Sequence, residues 1–348
     1  MVRISLFGSI VMKKRYFACL ALALPALAFA GCTSGTSRLA LSANWYAAAD
    51  TTTEISNTYE ELVYTVSFES TGTDAYSVEY DEGTYTATLR NENITIGASV
   101  RAGYHLTSEL TITGRYSVNG ETGEDFTDVV ISDVWFLDVT TELQPVRSVK
   151  KVLSHSPSHT NSYPDSIEDA STTYEYTYTS EYNEDCTEAS VTLTYTQPEG
   201  MPDVERTVSL SGDGTYLDNE TILFAMRGIN TASALSFRTV NPVTQQQTGI
   251  AMSAAPEIAE RTQTFAINAY ENGTVTEGAS VEHTLDAYTF TLGYSGSNSG
   301  QSQTLTYAAR TDGVTNTYRN VLLEMSVPVI NSLGTLTYRL TSATFNGK

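Results

Sequence analysis

The sequence predicts an all-β protein: a large curved antiparallel sheet, half-barrel or sandwich, with one short helix near 219–229. Three observations carry this. Apolar and polar residues alternate with a period of two along most of the chain. Gly, Asn and Asp turn residues separate these short runs, and strand-favouring residues abound, with 22 Tyr, 11 Phe and 52 Thr among 348 residues. The same composition argues against disorder, which goes with few aromatic and β-branched residues.

The elements follow in order. Leu62, Tyr64 and Val66 alternate with polar neighbours in the first strand, and Ala75–Tyr80 repeats the pattern after Gly72. Tyr85–Leu89, Ile94–Ile96, Leu110–Ile112 and Tyr116–Val118 continue it, and Asn119-Gly120 is a hairpin dipeptide because both residues tolerate positive φ. Val129–Ile131 and Val134–Leu137 are denser in apolar residues and are expected to be deeply buried. Leu153–Thr173, polar and with two prolines, interrupts the alternation and reads as an exposed loop or boundary. Strands resume at Tyr174–Tyr178 and Val191–Tyr195. Asp218 or Asn219 then caps the short helix, with Ile222, Leu223, Met226 and Ile229 as its buried face. Six further strands are expected between Leu235 and Leu340, with Pro328 suited to an edge or bulge.

The amino-terminal region has a separate logic. Lys13, Lys14 and Arg15 precede an uncharged apolar stretch, Phe17–Ala30, too short for a comfortable membrane span, and Phe29-Ala30-Gly31-Cys32 follows. This ending resembles the bacterial lipobox. The resemblance implies that residues 1–31 are removed as a signal peptide and that the Cys32 thiol carries a diacylglyceryl group, whose two acyl chains suffice for stable attachment. Residues 32–40 would then be an acylated tether and 41–348 the β-rich body, either one unit or two halves, 41–153 and 172–348. The expected location is the extracytoplasmic face of a membrane in the cell envelope.

Charge narrows the partners. The chain has 40 acidic against 19 basic residues, a net −21, the wrong sign for a nucleic-acid binder. Cleavage after Gly31 would remove four bases and no acid, leaving a body at −25 that anionic headgroups repel. It would also leave Cys186 as the only cysteine besides the acylated one, so no internal disulfide is expected.

Phe136-Leu137-Asp138, Leu143-Gln144-Pro145-Val146-Arg147-Ser148, and the run Asp218 to Arg227 occur in an order similar to that of a family of uncharacterised bacterial envelope proteins of unknown function. The similarity covers Val134 to Asn241, about a third of the chain. It implies a strongly curved antiparallel sheet, like the half-barrels that cradle lipid or lipoprotein acyl chains. A shared shape does not carry function.

No residue set announces chemistry. His105 and His283 read as ordinary strand positions, and His155 and His159, although spaced like metal ligands on a helix, flank Pro157 in polar sequence and read as a solvated loop. Adjacent acids such as Glu60-Glu61 and Glu124-Asp125 mostly lie beside turns. Cys186 has acidic neighbours that make its thiol a poor nucleophile. Tyr174, Tyr176 and Tyr178 share one strand face and are the candidate ligand-facing aromatics, against the simpler reading that such residues favour strands.

The leading expectation is a non-catalytic lipoprotein, with neither cofactor nor metal, that binds a hydrophobic or lipid ligand of the envelope or serves as an interaction module there. A surface glycan- or protein-binding module comes second, and an acid-pair glycoside hydrolase third. Replacing Cys32 with Ser is expected to move the protein from the membrane to the soluble fraction, as read by fractionation and mass spectrometry. Continued membrane retention would remove the lipobox assignment.

Overall fold

A computed structural model describes residues 58–139, 142–157, 164–212, 214–227, 229, 234–242, 244–254, 257–294, 302–309, 317–329 and 333–346. The signal region, Cys32 and His159 lie outside them. The first part of the chain supplies β1 (Tyr59–Ser70), β2 (Tyr76–Tyr80), β3 (Gly83–Ile96), β4 (Ser99–Val118), β5 (Glu121–Thr122), β6 (Phe126–Val139) and β7 (Glu142–Ser156). A one-turn helix α1 (Ile167–Ala170) leads to β8 (Thr172–Tyr182), β9 (Glu188–Gln197) and β10 (Val204–Ser209). Next come a 3-10 turn, Asn219–Thr221, and α2 (Ile222–Ala225). The remainder forms β11 (Leu235–Asn241), β12 (Gln246–Met252), β13 (Ile258–Glu271), β14 (Thr274–Thr276), β15 (Ser280–Tyr294), β16 (Gln303–Ala308), β17 (Leu322–Pro328) and β18 (Gly334–Asn346).

Antiparallel pairing runs through one wall in the order β10-β9-β8-β7-β6-β4-β3-β1-β18-β17-β16-β15-β12-β11. The far end of β4 pairs with β2 and with β5 across the Asn119-Gly120 turn, where φ is 51° and 82°. β13 pairs with β15 and then runs parallel to the end of β18.

The alternation predicted from sequence is the alternation of this wall: Leu62, Tyr64 and Val66 on β1 face inward, as do Leu336, Tyr338 and Leu340 on β18, and one hydrophobic cluster fills the interior. A bulge at Val146, where Trp135 pairs with Arg147 but Phe136 with Pro145, reverses the parity of β7. From there Ser148, Lys150, Val152, Ser154 and Ser156 point inward.

Two expectations need correction. Leu153–Thr173 is not all loop: β7 continues to Ser156, held by pairing with β8, and α1 follows, capped by Ser166. The short helix near 219–229 is present, but its buried face also includes Phe224 and Ala225, because it is enclosed on several sides rather than laid on a sheet. The strands before 153 and after 172 share the one sheet and core, so this interruption does not divide the body.

The ends of the wall meet through residues 210–212 and 214–217. The amide of Leu210 donates to the Thr187 carbonyl beside β9, and on β11 Arg238 exchanges backbone hydrogen bonds with Thr215 and Leu217. The Arg238 guanidinium spans the seam, donating to the carbonyls of Leu210 at 2.7 Å, Ser211 at 3.1 Å and Gly214 at 3.1 Å. Seam closure therefore leans on one side chain more than on a ladder. Arg238→Ala is expected to lower stability by about 1–3 kcal/mol and to speed hydrogen exchange at the amides of Thr215, Leu217 and Arg238. Unchanged exchange there would refute the role given to this side chain.

Candidate functional site: the lumen and its helical plug

After Leu217 the chain turns into the barrel. Asp218 caps the helical turn, its Oδ1 accepting from the Glu220 amide at 2.8 Å, which satisfies an amide that the turn itself cannot. Its Oδ2 accepts from Ser148 Oγ at 2.8 Å and from the Tyr182 hydroxyl, which also contacts the hydroxyl of Tyr216 at 2.9 Å. Both partners of Oδ2 come from inward positions of the wall, Ser148 on β7 and Tyr182 on β8.

The rest of the plug is tied in the same way. Lys150 Nζ on β7 reaches the Glu220 carboxylate at 3.3 and 3.4 Å. The Leu223 carbonyl, left open by so short a helix, accepts from Tyr307 Oη at 2.8 Å, and Phe224 packs on Phe136 with ring centroids 5.5 Å apart. Arg227 ends the segment. Its guanidinium grips the Glu60 carboxylate on β1 with both Nη atoms, one at 3.0 Å, and donates to the Arg319 carbonyl at 2.8 Å. Both members of this pair are 3% exposed.

Beside the plug lies a cavity of ≈ 110 Å³. Its lining is mainly apolar, with Leu62, Leu89, Leu106, Leu110, Val130 and Leu223, and includes Ser108 and Ser132 and the charged pairs Glu60–Arg227 and Lys150–Glu220. The volume is about three or four waters at ~30 Å³ each, and below the ~150 Å³ of a cavity known to admit benzene. Among the described residues, the plug takes up space beside this cavity on the concave side of the wall. What the space offers is a mainly apolar recess with two charged pairs in its lining.

Burial sets the electrostatics. Loss of solvation lifts the Asp218 carboxyl to about 6; the bonds from Tyr182, Ser148 and the Glu220 amide oppose that rise and the Glu220 charge adds to it. Burial likewise drives the Tyr182 and Tyr216 phenols well above their ordinary range, with the Asp218 charge the next cause.

Tyr174, Tyr176 and Tyr178 do share one face, but that face is the core: all three are buried, and none lines the cavity. Tyr176 packs against Tyr195 at 5.6 Å. His155 is not in a solvated loop. It belongs to β7 and bonds Asp128 through Nδ1 at 2.9 Å. His105 is more than a plain strand residue: Trp135 stacks on it at 4.3 Å, Nε2 meets Asp133 at 3.0 Å, and Nδ1 lies near both Glu92 and Arg90. His283 approaches the Phe265 carbonyl at 3.1 Å. Among the adjacent acids, Glu60 alone is drawn into the cavity lining, and by a distant arginine. The plug residues Asp218, Glu220 and Arg227 and their wall partners Ser148 and Lys150 escape sequence reasoning as a site. One signal was available: polar residues stand at Ser148, Lys150, Ser154 and Ser156, an alternate series broken by Val152, in an otherwise strand-like run.

No protein-family model matches the chain, and no curated protein is similar to it. Among solved structures it is similar to a beta-barrel-like protein of domain of unknown function DUF1849 from Brucella abortus, at 8% identity and a TM-score of 0.41, over 84% of this chain and 99% of that one.

The raised Asp218 carboxyl gives a signed pH dependence. A group held at about 6 when folded, against 3.8 ordinarily, binds its proton more tightly in the folded state. Its contribution is complete below the ordinary value and is lost as pH rises through the folded one. Asp218→Asn keeps a capping side chain and removes the titration. The stability of the Asn variant relative to wild type should therefore rise between about pH 4 and about pH 7, as measured by urea unfolding at each pH. A difference independent of pH would show that Asp218 is not held protonated by burial.

Proposed function

We propose that the protein is a lipoprotein of the cell envelope, anchored through Cys32 on the extracytoplasmic face of a membrane, whose barrel is a non-catalytic binding module for a hydrophobic ligand. The observation that carries the reading is the lumenal cavity: a largely leucine-lined space with the charged pairs Glu60–Arg227 and Lys150–Glu220 in its lining suits an amphiphile, whose tail sits among leucines and whose polar part meets one of those pairs. At ≈ 110 Å³ it takes a short or branched apolar group. A longer chain would require residues 217–227 to withdraw.

A series from butanoic to palmitic acid, followed by thermal shift, tests this. The short members are expected to raise Tm and the long ones to have no effect while the plug is seated. Leu110→Trp, which fills the recess with an indole, should abolish the shift without unfolding the barrel. A series in which no member shifts Tm, or a shift that survives Leu110→Trp, would overturn the assignment of this cavity.

A further inference from the structure

Beyond the cavity, along β6 and β7, lies a polar group that the plug does not use. Asp128 on β6 faces inward and is 1% exposed. It stands one position past the Val129–Leu153 pair and so beside Ser154 on β7, with Ser156 next on the same face. Its Oδ1 is satisfied by His155, which donates its backbone N–H at 2.8 Å and its Nδ1–H at 2.9 Å.

Three other oxygens at this point are not satisfied. Asp128 Oδ2, Ser154 Oγ and Ser156 Oγ are buried and have no hydrogen-bond partner among the described residues, and they do not bond one another. Native proteins seldom leave such groups empty-handed; an ordered water or ion usually meets them. Charge bears on which. Among the described residues Asp128 pairs with no lysine or arginine, only with the His155 imidazole, and burial pushes its carboxyl up against the pull of that ring. His155 meets only Oδ1, so the buried Oδ2 still calls for a water, a counter-charge or a proton.

The surroundings are built of oxygen. The Tyr116 hydroxyl donates to the His155 carbonyl at 3.0 Å. Tyr80, whose phenol is kept neutral by burial and by the nearby Asp128 charge, lies over Gly114, where a Cβ would come within 2.6 Å of its ring. Hard oxygen donors select alkali or alkaline-earth cations over transition metals, and calcium sites usually gather several carboxylates, whereas this one has a single carboxylate. Among the described residues there is no group of three or more His, Cys, Asp or Glu that could hold a metal ion.

We propose that Asp128, Ser154 and Ser156 form a buried site for one monovalent cation of about the size of sodium. The site does not depend on the lumenal ligand: none of its three residues lines the cavity.

Thermal unfolding of the purified protein in sodium chloride and in choline chloride at equal ionic strength tests it. Tm is expected to be several degrees higher in sodium chloride, saturating with concentration as a bound ion requires. Asp128→Asn and Ser154→Ala should each erase the difference. Sodium-23 NMR supplies a readout on the wild-type chain alone, since a bound ion in exchange broadens the line. Equal Tm values in the two salts, or no broadening, would overturn the proposal. So would a high-resolution crystal structure in which the group at Oδ2 stands at the ~2.8 Å of a water rather than the ~2.4 Å of a cation.

Discussion

The structure turns on one constraint: a charged helical turn sits inside an apolar barrel, and each of its charges must find a partner on the wall. An unpaired buried ion costs several kcal/mol, so the pairings Arg227–Glu60 and Glu220–Lys150 and the capping of Asp218 are conditions for the segment to enter at all. Apolar packing is tolerant of small displacements; these contacts are not. They also tie together β1, β7, β8 and the approach to β17, which come from opposite ends of the chain. Replacing such pairs by matched apolar residues can be neutral or stabilising in other proteins, so their service here is to specify one position of the plug more than to add net stability.

Tyrosine solves a related problem. A wide barrel needs long side chains to fill it, and a phenol spans the lumen with an apolar ring while placing a hydroxyl where a carbonyl needs a donor. Tyr64 reaches the Leu322 carbonyl at 2.9 Å and Tyr307 the Leu223 carbonyl at 2.8 Å. Leucine in either place would leave an acceptor unpaired. Tyr64, Tyr116 and Tyr307 thus satisfy backbone carbonyls from inside, while the Tyr174–Tyr178 stripe contributes to the filling of the core.

The wall was legible in the sequence because alternation is a local property. Leu62, Tyr64 and Val66 declare their face within a few residues, and Asn119-Gly120 declares its turn through permitted φ values. The plug was half legible: Asp218 and the apolar residues after it announce a capped helix, but nothing local says that it enters a barrel. Glu60 and Arg227 are 167 positions apart, and either alone reads as a solvated surface charge. The end of β7 was misread for a similar reason. Ser154, His155 and Ser156 look like loop residues until β8 pairs with them and Asp128 bonds the imidazole. Local pattern identifies what a residue can do; only the closed topology brings its partner.

One pairing sets the order in which the barrel can form. β1 lies between β3 and β18, and the Tyr59 amide donates to Asn346 Oδ1 across 287 positions of sequence. Until β18 exists, β1 is an open edge on a chain otherwise able to zip strand to neighbouring strand, and such long-range closure is slow because the loop entropy is spent before any contact returns it. Losing β18 would not trim a margin. It would cut the wall in the middle and leave β1 and β17 as two unprotected edges, the geometry most prone to pair with another molecule.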